Sequence, residues 1–504
     1  MFELLKTATY VSLLLTAGTM ILSLCTTPAI RRSLVRPLLP ANIILVFAIF
    51  CSPSIWIPHF AAFILVPVFA RRRELIAPFY LVGLVTLPAL GVTLSLGGTY
   101  LFTPTLSHSL GLGALAATLA HRAPRVQRNA GSLIPFVAML ALLAIAHGRD
   151  TSVTNLARVF LDLTFQFGLP FFIIIRSVRT PDDYRYALAG LAGGTVILSV
   201  LACYEAFRAW PLYFIAWGHY GIEWAAGVKL RGGLMRAAGP YPEPTSFAFN
   251  LCIGILAILA GRNLWSGQGG RLVLFGLSGA AILATQTRGA WIGLVMGLII
   301  YYVTIGNARR ARQVTATIGV AAAAIIGLST VSSSVANLTG MTAEGQGTVD
   351  YRQRLFDRGI EEIGERPLLG ASRDEVVRQM RDMIQGEGIV DFVNTYIYIG
   401  LISGLIGLII FLTAIVVQAT LAWTTRRRWP QHRAMSGFGL AALVSVLSML
   451  TVTSLIGSTG AMLSVTFAMI SAWSGLVEHG PRRDRARGLS SPEESPVIRA
   501  GHAS

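Results

Sequence analysis

Apolar runs of about 20 residues fill most of the sequence, and short polar loops separate them. A helix needs about 20 apolar residues to cross the hydrocarbon layer of a bilayer, and it satisfies its backbone hydrogen bonds internally. Only 13% of the residues are charged, whereas soluble domains carry about 25%. These features predict an all-α polytopic integral membrane protein with about 12–15 transmembrane helices.

The positive charge is distributed in a pattern that predicts the topology. The net charge of +17 comes almost entirely from arginines, which gather in every second loop. Cytoplasmic loops carry such an excess of basic residues, so the charge indicates orientation and does not indicate a nucleic-acid partner. The predicted regions are N-terminal transmembrane helices (1–204), a first extracytoplasmic loop (205–244), central transmembrane helices (245–332), a long extracytoplasmic loop (333–393), C-terminal transmembrane helices (394–477) and a disordered cytoplasmic tail (478–504).

Both long loops are predicted to carry amphipathic helices. In the first loop, aromatic residues recur every three or four positions, which favours a helix lying flat in the membrane interface; a sugar-stacking platform is the alternative. In the second loop, we expect a helix at 350–365, and Ser372 with Glu375 predicts a capping box at the start of another. The aromatic residues of the first loop are Trp210, Tyr213, Phe214, Trp217, Tyr220 and Trp224.

Arg288 is the first candidate for chemistry. It lies in the hairpin Thr285–Ala290 between two apolar runs, on the predicted outer face. An arginine in or beside hydrocarbon costs about 2.5–3.5 kcal/mol on insertion scales. Its guanidinium could snorkel to lipid phosphate, or it could hold a diphosphate through charge-assisted hydrogen bonds. We prefer the second interpretation, which makes Arg288 both a catalytic and a substrate-binding candidate.

Further polar residues border the same predicted membrane entrance. A cluster of arginines with a few carboxylates suits an anionic lipid phosphate that bears a polar head. The chain has no Asp-x-Asp pair that could hold a metal and a nucleotide, so we expect neither a metal nor another cofactor. The candidates are Arg236, Arg352, Asn394 and Tyr396 for substrate binding and Asp391 and Glu243 for catalysis.

Four segments follow one another in a characteristic order: Arg236–Gly239 before a proline-rich turn, Thr285–Ala290, Arg352–Phe356 ahead of Arg366–Gly370, and Asn394–Tyr396 leading into Gly400–Gly407. In this order, over roughly residues 230–410, they resemble the O-antigen ligase and Wzy-type polymerase superfamily. The resemblance implies a membrane-embedded glycosyltransferase, in which Arg236, Arg288 and Arg352 contact the donor. It would act at the periplasmic face of the bacterial inner membrane on an undecaprenyl-diphosphate-linked glycan, with membrane lipids, a flippase and a chain-length regulator as expected partners.

One position departs from the pattern that the resemblance implies for ligases. Ligases that attach glycan to lipid A core carry a histidine just before the Asn-x-Tyr motif, where it suits general-base catalysis, and this chain has Val393. The nearest ionisable group is Asp391, with Glu243 across the mouth; His219 is an alternative whose aromatic surroundings favour an interface role. We therefore expect a polymerase, with a ligase as the alternative and a lipid-linked glycan transporter less expected, since we find no internal repeat.

Overall fold

The computed structural model describes residues 1–121, 130–222, 227–231, 233–332, 336, 343–384, 390–455 and 457–488. Within these ranges the protein is almost entirely helical, which confirms the predicted all-α polytopic membrane fold. The strands form two short antiparallel hairpins, β1 (Leu94–Leu96) with β2 (Thr99–Phe102) and β3 (Leu230–Arg231) with β4 (Leu234–Met235).

The helices of the described ranges are numbered in chain order. They are α1 Phe2–Cys25, α2 Pro28–Cys51, α3 Trp56–Phe69, α4 Ile76–Thr86, α5 Leu106–Ala120, α6 Ala130–His147, α7 Val153–Ser177, α8 Pro181–Arg208, α9 Phe214–His219, α10 Pro244–Ala260, α11 Gln268–Ala284, α12 Arg288–Thr304, α13 Ala308–Ser329, α14 Ala343–Glu365, α15 Arg373–Gln379, α16 Thr395–Arg428, α17 Arg433–Leu450 and α18 Ser458–Gly488.

The long apolar helices make this a multi-pass membrane protein. In the described residues, eight helices are long and apolar enough to cross a bilayer, and six shorter apolar helices accompany them. Together they agree with the expected number of about 12–15. The eight are α1, α2, α7, α8, α13, α16, α17 and α18, and the six are α3, α5, α6, α10, α11 and α12.

Helix α8 forms the centre of the bundle and packs against α1, α4, α10 and α11. Its start is well defined, because Pro181 occupies the first turn and Thr180 and Asp183 form a reciprocal capping box. Small residues allow its neighbours to approach closely: a Cβ added to Gly254 of α10 would lie 1.7 Å from Thr195 Oγ1. Such close approach is typical of helix packing in membranes.

Residues 343–384, which we call the outer cap, form a second packed unit on one end of the bundle. The cap contains α14, α15 and a short 3₁₀ turn, Arg381–Met383. Its apolar side chains have a core of their own, separate from the main one, which they share with the first turns of α16 and the end of α6. Residues of this second core include Tyr351, Leu355, Val376, Met380, Met383, Ile397, Leu401, Ile402 and Ala146.

Two glycines allow the outer cap to dock against a break in α16. The helix is interrupted at Gly404, where φ is 65° and ψ is −168°. A Cβ added at Gly404 would lie 2.3 Å from Leu368 O, and one added at Gly370 would lie 2.3 Å from Leu401 O. Real side chains do not tolerate such distances, and both glycines have a left-handed φ. The backbones of cap and helix can therefore touch only with glycine at both positions.

Hydrogen bonds across this break hold the cap in place. The Ala371 N–H donates to Leu401 O at 2.8 Å, and the Leu405 N–H donates to Pro367 O at 2.7 Å. These bonds replace those that a continuous helix would make at the break. Arg149, from the loop between α6 and α7, donates to Ala371 O at 2.8 Å. The position of α14 relative to the membrane helices is thus fixed by backbone contacts.

The predicted interface helix in the first outer loop is wrong in extent and placement. Helix α9 covers only Phe214–His219, and Tyr213 and Trp217 are buried in the main core with 1% and 0% exposure. The chain turns at Ala209, whose φ is left-handed, and this turn directs the rings into the bundle. Burial of two large aromatic rings outweighs the gain from an interfacial position. Trp224 lies outside the described residues.

The helices of the second loop agree only partly with the prediction. The helix expected at 350–365 is confirmed as part of α14. The prediction of a capping box at Ser372 is wrong, because in this described segment the Ser372 side chain accepts no hydrogen bond from α15. Glu375 instead pairs with Arg366, with 2.5 Å between Oε2 and Nη1, and a guanidinium is a stronger partner than a backbone amide.

The C-terminal helix is longer than expected. We predicted a disordered tail from residue 478, but α18 continues to Gly488. Residues 489–504 lie outside the described part of the chain.

Candidate functional site at the outer rim

The turn between α11 and α12, residues 285–287, is joined by hydrogen bonds to the end of the first outer loop. The Ala237 N–H donates to Ala284 O at 3.0 Å, and Gln286 Nε2 donates to Met235 O at 3.3 Å. Gln286 has a left-handed φ of 50°, which is uncommon for a residue with a side chain. Segments about 50 residues apart in sequence therefore form one rigid edge of the rim.

Arg236 is part of this edge. Its Nε donates to Thr285 O at 3.1 Å and its Nη2 to Thr287 Oγ1 at 3.0 Å, so the orientation of the guanidinium is fixed. Burial, followed by the positive charges of nearby arginines, lowers the pKa of Arg236 to about 10, and the Glu243 carboxylate opposes this shift. The group remains protonated at neutral pH. The arginines that act on Arg236 are Arg231, Arg288 and Arg352.

Arg288 is the first residue of α12, and Thr287 precedes it as the N-cap. The N-terminus of a helix carries partial positive charge and exposed N–H groups, so Arg288 adds a full charge to a site that already favours anions. Arg231 adds another: it donates from Nη1 to Gln286 O in the same turn. Arg231 was not among the site residues predicted from the sequence, although it lies only five residues before Arg236 in the same loop.

Arg352 approaches the rim from the outer cap. Its side chain remains accessible to solvent, yet enough protein surrounds it that desolvation lowers its pKa, and Asp391 opposes that shift. Tyr351 holds the two residues together, because its hydroxyl donates to Asp391 O at 3.3 Å. Thus Arg352 and Asp391 are neighbours, although 39 residues separate them in the sequence.

Glu243 lies at the end of the first outer loop, immediately before α10. It is exposed and pairs with Lys229, with 3.4 Å between Oε1 and Nζ. The backbone of Lys229 in turn accepts a hydrogen bond from the Arg236 N–H at 3.0 Å. Glu243 is therefore close to the arginines and in contact with water, as expected for a group that borders an open entrance.

Glu205 is a polar residue whose role the sequence did not reveal. It is 1% exposed, and its carboxylate accepts backbone N–H bonds from Leu212 at 3.1 Å, from Ala238 at 3.3 Å and from Gly239 at 2.8 Å. Buried carboxylates of this kind order the backbone that they bind. Glu205 thereby fixes the segment directly after Arg236 against α8.

Asn394 and Tyr396 have structural contacts at the start of α16. Asn394 Oδ1 accepts from the N–H groups of Tyr396 at 3.0 Å and Ile397 at 3.2 Å, which makes it the N-cap of α16. The Tyr396 hydroxyl donates to Leu447 O of α17 at 3.0 Å, so it points into the bundle. The proposed contacts of these two residues with substrate stay predictions.

His219 does not lie free at the rim. Its Nε2 is 3.1 Å from Ser52 O, and its ring packs against Tyr220 with 4.7 Å between the centroids. These contacts hold the ring at the end of α2. Among the residues bordering the arginines, Asp391 and Glu243 therefore remain the candidates for proton acceptance.

Arg231, Arg288 and Arg352, from three separate parts of the chain, all lie within electrostatic range of Arg236. Arg231 and Arg352 also lie within electrostatic range of Arg288. Such an array can bind a dianionic or trianionic group such as a diphosphate through charge-assisted hydrogen bonds. Within the described ranges, there is no group of three or more His, Cys, Asp or Glu side chains that could hold a metal ion. The catalytic and binding roles of the individual residues stay predictions.

Part of the chain matches a known protein family. No curated protein matches the chain. Residues 273–412 match the Wzy_C family model, which is described as O-Antigen ligase. The matched region includes Arg288, Arg352 and Asp391. Arg236 and Glu243 precede it in the sequence and lie outside the match. It supports a function in polysaccharide assembly. Over residues 273–412, this match confirms the resemblance to the O-antigen ligase and Wzy-type polymerase superfamily.

Proposed function

We propose that this protein polymerises lipid-linked polysaccharide repeat units at the outer face of the bacterial inner membrane, with undecaprenyl diphosphate as the carrier. The observation that carries the proposal is the convergence of four arginines at one rim, next to Asp391 and Glu243. A diphosphate leaving group needs fixed positive charge, and a lipid carrier needs access from the membrane.

The reaction transfers a glycan to a hydroxyl. The acceptor oxygen forms a bond to the anomeric carbon of the donor, and the bond from that carbon to the diphosphate oxygen breaks. The electron pair goes to the leaving diphosphate, whose charge Arg236, Arg288 and Arg352 stabilise, and the hydroxyl proton goes to a carboxylate. Preorganised cations at the atom where charge develops provide the largest effect in such reactions.

Asp391 is the carboxylate that we prefer as proton acceptor. It lies beside Arg352, so an acceptor hydroxyl held there would be close to the leaving group. Glu243 is already paired with Lys229, and that cation competes for its charge. Glu243 is better suited to orienting the acceptor at the entrance.

A ligase is the second candidate, because the matching family model is described as O-Antigen ligase. A ligase would join the finished glycan to a lipid or protein acceptor. The absence of a histidine at Val393 favours polymerisation, since a carboxylate must then serve as the base.

The first experiment separates the two candidates by the product that accumulates. If the protein is a polymerase, deletion of its gene leaves single repeat units on the carrier or on the surface lipid. Long polymer that persists without attachment to lipid A would instead identify a ligase, and unchanged surface polysaccharide would contradict both.

The second experiment tests the site with Arg288→Ala in the full-length protein. We expect loss of product at a normal level of protein in the membrane. Arg381→Ala is the matched control, because Arg381 is an exposed arginine of the outer cap and is not among the charged groups that act on Arg236 or Arg288. This variant should keep its activity. Full activity of Arg288→Ala would remove the leading catalytic candidate.

A further inference from the structure

A second group of arginines lies at the other ends of α10–α13. Arg262 follows α10, Arg271 belongs to the first turn of α11, and Arg310 belongs to the first turn of α13. Together with Asn263, they line a cavity of about 220 Å³. The Tyr301 hydroxyl lies within electrostatic range of all three guanidinium groups, which shows independently that they converge.

This cavity has no negative charge from its own part of the chain. Between Glu243 and Glu344 the sequence contains no Asp or Glu. Among the residues that the structure describes, the side chains of Arg262, Arg271 and Arg310 form neither a salt bridge nor a hydrogen bond. Their positive charge is therefore available to an anion from outside the described part of the chain.

Several other arginines at this end of the bundle are paired with carboxylates. Arg73 pairs with Asp183 at 3.1 Å, and Arg185 pairs with Asp182 at 2.6 Å. Arg428 pairs with Glu478 at 3.6 Å. Arginines that have carboxylate partners can also supply the positive charge that a cytoplasmic face needs. That need therefore does not explain why three arginines surround one cavity and have no partner among the described residues.

The remaining lining groups are also hydrogen-bond donors. Gly267 is the N-cap of α11 and has no side chain to accept from the first turn. The Arg271 N–H donates to Gly267 O at 3.3 Å, and the N–H groups between these two residues precede the first carbonyl that a helix offers, so they are open to a ligand. The helix N-terminus adds partial positive charge. The amide groups of Asn263 and Gln268 can donate as well. Guanidinium groups with backbone N–H donors are the usual partners of phosphate.

Lipid can reach the cavity from the side. Helix α13 forms one wall, and Ala311 is its only buried residue in the described chain. An apolar helix exposed in this way faces lipid, and the cavity lies at its end, at the depth of the headgroups. Basic pockets between transmembrane helices bind anionic headgroups at this depth.

We propose that Arg262, Arg271 and Arg310 form a binding site for the phosphate headgroup of an anionic phospholipid, at the opposite end of the bundle from the outer rim. The phosphodiester would accept hydrogen bonds from the three guanidinium groups and from the first turn of α11. Free inorganic phosphate has the same chemistry, and the experiment distinguishes it.

The test uses the purified full-length protein in phosphatidylcholine nanodiscs, to which phosphatidylglycerol is added. Bound lipid is counted by native mass spectrometry after release. The cavity variant is Arg271→Gln with Arg310→Gln, and the matched control is Arg309→Gln with Arg312→Gln, which removes the same charge from exposed arginines outside the cavity. We expect retention of phosphatidylglycerol to fall about tenfold or more in the cavity variant and to stay close to wild type in the control.

Three results would overturn the proposal. Equal retention of phosphatidylcholine and phosphatidylglycerol by the wild type would show that charge is not recognised. Equal loss in the cavity and control variants would show a diffuse effect of positive charge. Displacement by low-millimolar inorganic phosphate, with no enrichment of phosphatidylglycerol, would identify free phosphate as the ligand. Because the readout is lipid binding, the outcome does not depend on the proposed polymerase activity.

Discussion

The two arginine groups at opposite ends of the central helices differ in how the protein holds them. At the outer rim, Arg236 is fixed by Thr285 O and Thr287 Oγ1, and Arg231 by Gln286 O. At the other end, Arg262, Arg271 and Arg310 form no such bonds among the described residues. The outer group also has Asp391 and Glu243 beside it, whereas the inner cavity has no carboxylate from its own part of the chain.

This difference indicates two kinds of anion binding. Cations that are oriented before the substrate arrives can stabilise a transition state without reorganisation, which suits a leaving diphosphate. Cations that the protein does not orient can adapt to a headgroup that needs only charge neutralisation. The predictions below test whether the outer group depends on its fixed geometry and the inner group does not.

The largest effect is expected for Arg236→Lys. Lysine keeps the charge but cannot donate to Thr285 O and Thr287 Oγ1 while also contacting substrate, so the rate should fall about 100-fold. Arg271→Lys at the inner cavity should retain both activity and phosphatidylglycerol binding. The measurement is the initial rate of polymer formation by purified protein with a lipid-linked donor. A lysine variant with wild-type activity would show that geometry at Arg236 is unimportant.

A smaller effect is expected for Gly404→Ala. The added Cβ would meet Leu368 O at 2.3 Å, and the left-handed φ adds strain of about 1–3 kcal/mol. We expect the outer cap to shift, which displaces Arg352 and lowers activity by more than about tenfold. Thermal unfolding should occur at a lower temperature.

Gly276→Ala is the control for this change, because a Cβ at Gly276 meets nothing within 4 Å. Binding of phosphatidylglycerol at the inner cavity should persist in both variants. Loss of lipid binding in Gly404→Ala would indicate general unfolding and would contradict a local effect on the cap.

Glu205→Gln should reduce activity by about tenfold. The Glu205 carboxylate now accepts hydrogen bonds from the N–H groups of Leu212, Ala238 and Gly239. The amide nitrogen of glutamine is itself a donor, so it could not accept the bond from Leu212 or those from Ala238 and Gly239, whichever it faced. The segment that carries Arg236 would lose part of its support. We expect a higher KM for the lipid-linked donor, and Glu205→Asp should rescue less than full activity, because its carboxylate is one methylene shorter. An unchanged KM would leave Glu205 without a positioning role.

The smallest effect near neutral pH comes from titration of Arg236. Its pKa is lowered to about 10, and the protonated form is the one that binds a diphosphate. Hence kcat/KM should be constant below about pH 9 and fall as pH rises through about 10. A bound anion stabilises the charged form, so kcat should fall at higher pH than kcat/KM. A flat profile up to pH 10.5, with intact fold by tryptophan fluorescence, would exclude a role for this titration.

Part of the site could be predicted because local patterns carry the information. Arg288 was recognisable as an arginine in a short turn between apolar runs, and Arg236 and Arg352 by their place in segments that resemble a family. The alternation of arginine-rich loops predicted which loops share a face. The long helix before Pro367 was also evident from its apolar spacing.

Other features could not be predicted, because they depend on partners distant in the sequence. No local pattern marks Glu205, and its burial and its contacts with Leu212, Ala238 and Gly239 appear only in the tertiary structure. Glu375 satisfied the capping pattern but found a stronger partner in Arg366.

The sequence by itself determined that this chain lies in a membrane, how its loops alternate and where its positive charge is concentrated, because the cost of placing polar groups in hydrocarbon acts on each short segment separately. The tertiary structure decided which arginines meet, which of them are held in a fixed orientation and which have no partner among the described residues. Those properties depend on contacts between distant segments, some of them more than 100 residues apart. No local pattern specifies the partner that a buried or charged group will find.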